Sequence, residues 1–109
     1  VYGLLQPESM VMNGITNLRK VGVLAELYGK QIVPHHGGGN IGVIADMHLV
    51  ASWRHDPVME LLNDPPIGSY KNKFSIMANA PEVDSDGFRP LPQGPGLGSD
   101  IDPDLILDD

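Results

Sequence analysis

The sequence predicts an α/β protein whose strands run parallel, and three observations carry that expectation. Short apolar runs at residues 2–6, 30–34 and 58–62 alternate with two longer amphipathic stretches. The connections between them are short, and strand, helix, strand, helix, strand in that form means consecutive right-handed βαβ units. Two imidazoles and a glycine run, Pro34-His35-His36-Gly37-Gly38-Gly39-Asn40, then follow the second strand. In a parallel α/β protein the exit of a strand is where chemistry is placed.

The first run reads as a buried strand ended by Pro7, with Glu8 just past its exit. After a turn at Asn13-Gly14, Thr16 is a suitable helix N-cap. Leu18, Val21, Leu24, Ala25 and Tyr28 recur at helical spacing, and Gly29 supplies the C-terminal stop. The second strand leads into the His-His-Gly-Gly-Gly loop. Ile41, Ile44, Ala45, His48, Leu49 and Ser52 form one stripe of a second helix reaching about Trp53, and Arg54-His55-Asp56-Pro57 ends it. The third strand, 58–62, carries a single charge, Glu60. Residues 1–63 thus hold three strand and helix units. Residues 64–109 begin with Asp64-Pro65-Pro66 and turn rich in Pro and Gly, with a short extended pass at Phe74-Ser75-Ile76-Met77. This second part is expected to pack against something else, having no core of its own.

Composition narrows the function classes. The chain has 109 residues, 41% of them hydrophobic, and no Cys. Absence of Cys removes disulfides, thiolate metal sites and a cysteine nucleophile, and fits a cytoplasmic enzyme. A formal charge of -7 argues against a nucleic-acid partner, since phosphate binding needs a Lys/Arg surface. No apolar run is long enough to span a membrane. Acid is concentrated in the tail at Asp100, Asp102, Asp104, Asp108 and Asp109, which reads as a solvated terminus. The chain starts at Val1, not Met, already in a strand-like run, and so reads as beginning inside a longer polypeptide. Three parallel strands with two helices would leave open edges and a half-covered sheet. As the closing part of a larger α/β barrel the pattern makes sense.

The ordered set Gln6-Pro7-Glu8, Asn13-Gly14-Ile15-Thr16, Ala25-Glu26-Leu27-Tyr28-Gly29 and Val33-Pro34-His35 resembles the enolase superfamily. His48-Leu49-Val50-Ala51, Glu60-Leu61-Leu62 and Pro92-Gln93-Gly94-Pro95-Gly96-Leu97-Gly98 continue the resemblance, within its mandelate racemase/muconate lactonizing enzyme branch. It implies the C-terminal part of a modified (β/α)8 TIM barrel, strands six to eight, plus an irregular segment returning towards an N-terminal capping domain. It also implies abstraction of a proton α to a carboxylate, with Mg²⁺ stabilising the enolate. The three metal-binding carboxylates and a lysine acid/base would precede Val1, so no residue here is expected as a metal ligand. A small carboxylate such as a sugar acid, the rest of the barrel and identical subunits are the implied partners.

On this resemblance Glu8 orients His35, the catalytic acid/base, although the commoner pattern has Asp at the Glu8 position. The pairing is also sensible chemically, because a carboxylate on one ring nitrogen fixes the tautomer and raises the basicity of the other. Glu60 falls where such members hydrogen-bond the substrate carboxylate, which it would do as a protonated donor. His36 should point away from His35, since successive strand side chains alternate, and is expected as a substrate contact or loop residue. Gly37-Gly38-Gly39 lacks the following Lys-Ser/Thr of a phosphate loop. His48 reads as a packed histidine, and His55 and Asp56 as helix-end residues. The expected activity is an acid-sugar dehydratase. A racemase or cycloisomerase of the same branch, or a non-catalytic barrel remnant serving as an interaction segment, are the alternatives.

Overall fold

The computed structural model describes residues 2–36, 39, 41–54, 58–68, 77–78 and 82–106. Val1, Gly37, Gly38, Asn40, His55, Asp56, Pro57, Phe74, Ser75, Ile76, Asp108 and Asp109 lie outside the described residues. The elements run β1 (Leu4–Leu5), α1 (Ile15–Leu27), β2 (Gln31–Ile32) and α2 (Ile41–Ser52), closed by a 3-10 turn at Pro103–Leu105. β1 and β2 pair in parallel, with Leu4 opposite Gln31 and Leu5 opposite Ile32. A helical crossover such as α1 is what makes that pairing possible.

The chain enters α1 through Asn13 and Gly14, whose φ angles are 59° and 90°. Gly14, not Thr16, is the N-cap, and no side chain caps the helix. The turn decides this: Gly14 takes a conformation open only to glycine, so the helix starts ahead of Thr16. At the other end the expected stop is present. Gly29 has φ 60°; its N–H donates to Glu26 C=O at 3.1 Å, and Lys30 N–H donates to Ala25 C=O at 2.8 Å. These two bonds form a Schellman motif that satisfies the last carbonyls.

α1 buries Leu18, Gly22 and Ala25, while Leu24 and Tyr28 of the expected stripe are exposed. Apolar residues occupy two sides of this helix, and the side with small residues wins because it admits close approach. The Trp53 indole lies against Gly22, where an added Cβ would stand 2.4 Å from Nε1. α2 departs from a single stripe altogether: Gly42, Val43, Ile44, Ala45, Asp46, Met47, Leu49 and Val50 are all buried. A helix apolar nearly all round is a core helix, and the remaining elements wrap it.

Residues 58–62 make no strand among the described residues, contrary to the third run's pattern. An apolar run becomes a strand only where a neighbour offers N–H and C=O groups in register. Here Met59 and Leu61 instead pack on the cluster of Val43, Ile44, Met47 and Met77, joined by Leu91 and Leu97. The C-terminal part therefore packs on α2. Met77 bridges Ile101 in antiparallel fashion, and His48 Nε2 donates to Leu97 C=O at 2.9 Å. No helix among the described residues is long and apolar enough to cross a membrane.

The Gly22 contact yields a stability test. Ala in place of Gly should gain about 1 kcal/mol of helix propensity, against overpacking that typically costs about 1–3 kcal/mol. The rigid indole places Gly22→Ala on the losing side, so its urea midpoint should fall and Gly22→Val should fall further. A midpoint at or above wild type for Gly22→Ala would show that Trp53 yields freely.

Candidate active site

Pairing between the first two strands continues beyond their regular part. Val33 N–H donates to Leu5 C=O and His35 N–H to Pro7 C=O, each at 2.9 Å. The register that sets Leu4 against Gln31 carries on unchanged to Glu8 and His35, which are 27 residues apart and whose side chains meet at 3.1 Å, Glu8 Oε2 to His35 Nδ1. Residues opposite one another in a parallel pair point to the same side, so the backbone register produces this contact. Glu8 is held further by its own carbonyl, which accepts from Met12 N–H at 2.9 Å, while Gly14 N–H closes on Ser9 C=O at 2.8 Å.

The chemistry of the pair follows from its donors. An ionised carboxylate only accepts hydrogen bonds, so the proton between them sits on His35 Nδ1. That leaves the Nε2 lone pair as the basic position. The side chains are 46% exposed for His35 and 19% for Glu8, an outward base backed by a more sheltered acid.

Glu60 joins them from the segment after α2. Its Oε2 lies 3.4 Å from Gln6 Nε2 and 3.3 Å from His36 N–H. Both groups are donors, so Oε2 is an acceptor. Gln6, Glu8, His35 and Glu60 thus converge at the exits of β1 and β2.

His36 faces the other way, as alternation requires. Its ring is 2% exposed, so what His36 offers the outer side is its N–H, and the ring makes no surface for a substrate. Inside, His36 Nδ1 stands 3.9 Å from Asp46 Oδ2, with Gly42 of the same helix beside the imidazole Cε1. Asp46 is fully buried. Burial raises its carboxyl from 3.8 to about 6, with Glu8's negative charge adding to the rise and the adjacent Ser9 hydroxyl opposing it. That hydroxyl lies beside the carboxylate without completing a well-aligned hydrogen bond.

Pattern alone does not mark Gln6 and Asp46 as site residues. Gln6 carried no titratable signal. Asp46 did leave one: it is the only acid in the stretch Ile41-Gly42-Val43-Ile44-Ala45-Asp46-Met47, and a lone acid in a buried helix needs a partner.

Comparison with known proteins gives this arrangement its family. The enolase C-terminal domain-like family matches residues 1–105, and the chain belongs to it, within the mandelate racemase/muconate lactonizing enzyme branch of the enolase superfamily. The chain is 30% identical over 108 residues to the D-galactarolactone cycloisomerase of Agrobacterium fabrum, covering 96% of this chain and 29% of that protein. It is 29% identical over 102 residues to the arabinonate dehydratase of Saccharolobus solfataricus, covering 90% of this chain and 25% of that protein. Among solved structures, the 3,6-anhydro-D-galactonate cycloisomerase of Zobellia galactanivorans superposes with a TM-score of 0.77 at 30% identity, over 94% of this chain and 27% of that one. The chain therefore spans less than a third of the length of each of these relatives.

Membership of this superfamily implies Mg²⁺ in general. Among the described residues no three His, Asp or Glu side chains are grouped to hold a metal ion. The described residues do not fit the ion.

Asp46 gives the site a stability signature. Its folded-state carboxyl binds a proton more tightly than the unfolded chain does, so its contribution is fully present below about pH 4. It is lost as pH rises through about 6. At about 1.36 kcal/mol per unit, the loss is on the order of 3 kcal/mol. Urea midpoints from pH 4 to 7 should decline in the wild type, and Asp46→Asn should flatten that decline. An identical slope in the variant would show that Asp46 is not the group responsible.

Proposed function

We propose that this chain carries the proton-transfer part of an enolase-superfamily active site acting on a sugar acid, with His35 as acid/base, Glu8 as its orienting partner and Glu60 as a substrate contact. The observation that carries the proposal is the 3.1 Å contact between Glu8 Oε2 and His35 Nδ1 at the exits of two parallel strands. In this reading the chain corresponds to strands six to eight of a modified (β/α)8 barrel. Residues 64–109 would form the segment that returns towards a capping domain, and the remaining strands would supply the Mg²⁺ ligands.

The chemistry asks His35 for two things. Removing a proton α to a carboxylate needs a base near neutral pH, and a β-oxygen leaves far more readily if it is protonated as it departs. Neutral His35 presents the Nε2 lone pair for the first task. Imidazolium presents Nε2–H for the second, with Glu8 balancing the positive charge through Nδ1–H. Glu60 receives donors at Oε2, so Oε1 is the oxygen that would meet a substrate carboxylate, and it would have to be protonated there to donate. His36 would take part through its N–H, by holding Glu60.

Dehydration is the primary reading: the α-proton and the β-hydroxyl leave together as water, and the enol product becomes a 2-keto-3-deoxy acid. Cycloisomerisation is the second, favoured by two relatives at 30% identity that carry that activity in their names. It uses the same proton transfers but retains every atom of the substrate. Product mass separates the two, since dehydration loses one water and isomerisation loses nothing.

A positioned general acid/base contributes on the order of 10²–10⁴-fold. His35→Asn in the complete enzyme should lower turnover of arabinonate, galactonate or galactarolactone, whichever the wild type converts, by that order. Incorporation of deuterium at the α-carbon should fall with it. Turnover at the wild-type rate would remove His35 from the chemistry.

A further inference from the structure

The buried acid of α2 has no part in the proton transfers above, yet it lies beside the residues that directly follow Glu8 and His35. Asp46 lies beside the neighbours of both members of the pair: Ser9, which directly follows Glu8, and His36, which directly follows His35 and whose Nδ1 is 3.9 Å from Asp46 Oδ2. Ser9 and His36 are themselves buried, at 3% and 2% exposure. Gly42, one helical turn before Asp46, makes room for Met10, because a Cβ there would come within 3.1 Å of Met10 Cγ, while His36 Cε1 would sit at an ordinary contact distance of 3.7 Å.

We infer, resting on the acid/base function proposed above, that Asp46 is a positioning residue which holds Ser9 and His36 from below and so sets the spacing of Glu8, His35 and Glu60 above. The route is short and covalent. Holding the His36 ring inward fixes the peptide between His35 and His36, and with it the outward direction of the His35 side chain. The same peptide carries the N–H that reaches Glu60 Oε2 at 3.3 Å. On the other arm, Ser9 bounds the turn that presents Glu8, and its carbonyl is closed by Gly14 N–H. A buried carboxylate tends to cost stability compared with an apolar residue of similar volume. The use that offsets this cost is geometry at the reacting groups, where a displacement of about 1 Å is worth roughly 10²-fold in rate.

Asp46→Asn and Ser9→Ala in the complete enzyme test the assignment, with His35→Asn in parallel and arabinonate, galactonate and galactarolactone as the probes. Asp46→Asn should unfold at pH 7 at a midpoint no lower than the wild type's, because it removes a buried charge, and lower kcat by about 10–100-fold, with KM near the wild-type value and α-deuteration falling in step with kcat. Ser9→Ala should show the same split, more mildly. Wild-type kcat in both variants, or a loss that only follows the unfolding midpoint, would overturn the role. If Asp46→Asn does not fold, Ser9→Ala decides alone, since a kcat loss at constant KM supports the role and an unchanged kcat overturns it. A fully active His35→Asn would instead refute the acid/base function itself. An inactive His35→Asn beside an unimpaired Asp46→Asn would refute the positioning role alone.

Discussion

The bond from His35 N–H to Pro7 C=O, at 2.9 Å, extends the β1–β2 register to the point where the two strand exits meet, and the candidate site depends on it. A slip of one residue in that register would turn His35 inward and His36 outward, since side chains alternate along an extended chain. The contact with Glu8 would then be lost and the ring at 2% exposure would be the wrong one. Long-range pairing of this kind is specified from both ends. The Schellman motif after α1 delivers Gln31 to the sheet, and the Asn13-Gly14 turn closes the loop behind Glu8.

Below that register, α2 acts as the floor of the site as well as the centre of the core. Its apolar residues hold the Met59, Leu61, Leu91 and Leu97 layer, so the segment that brings Glu60 into place is packed on the same helix that carries Asp46. Folding and site geometry are therefore coupled through one element. Disturbing α2 would move Glu60 and His36 together, which is why the site residues cannot be assessed separately from the helix beneath them.

Much of this was legible from residue pattern. Both helices, the parallel relation of β1 and β2, the turn of His36 away from His35 and the Gly29 stop follow from local periodicity and glycine chemistry, whereas the burial of the His36 ring, expected as a substrate contact or loop residue, does not. The Glu8–His35 contact rested on family resemblance, because nothing local in Gln6-Pro7-Glu8 announces a partner 27 residues away. What failed was set by tertiary context. The run at 58–62 has the composition of a strand but packs by its side chains on α2, and Thr16 lost the cap position to the backbone demands of Gly14. The exposed Leu24 and the buried Gly22 show that close approach, not hydrophobicity, selected the packed face of α1. Asp46 was visible as a lone acid in an apolar helix, though its neighbours Ser9 and His36 come from two other parts of the chain.

Membership of the enolase C-terminal domain-like family gives these residues a chemical setting, and the relatives named above are a cycloisomerase and a dehydratase. The central claim is that Glu8 and His35 work as a unit. A double-mutant cycle on α-proton exchange in deuterium oxide, comparing Glu8→Gln, His35→Asn and the double variant of the complete protein, tests it most directly. A coupled pair predicts that the double variant is no slower than His35→Asn alone. Losses that multiply would mean that Glu8 acts independently of the imidazole, and the dyad would have to be abandoned.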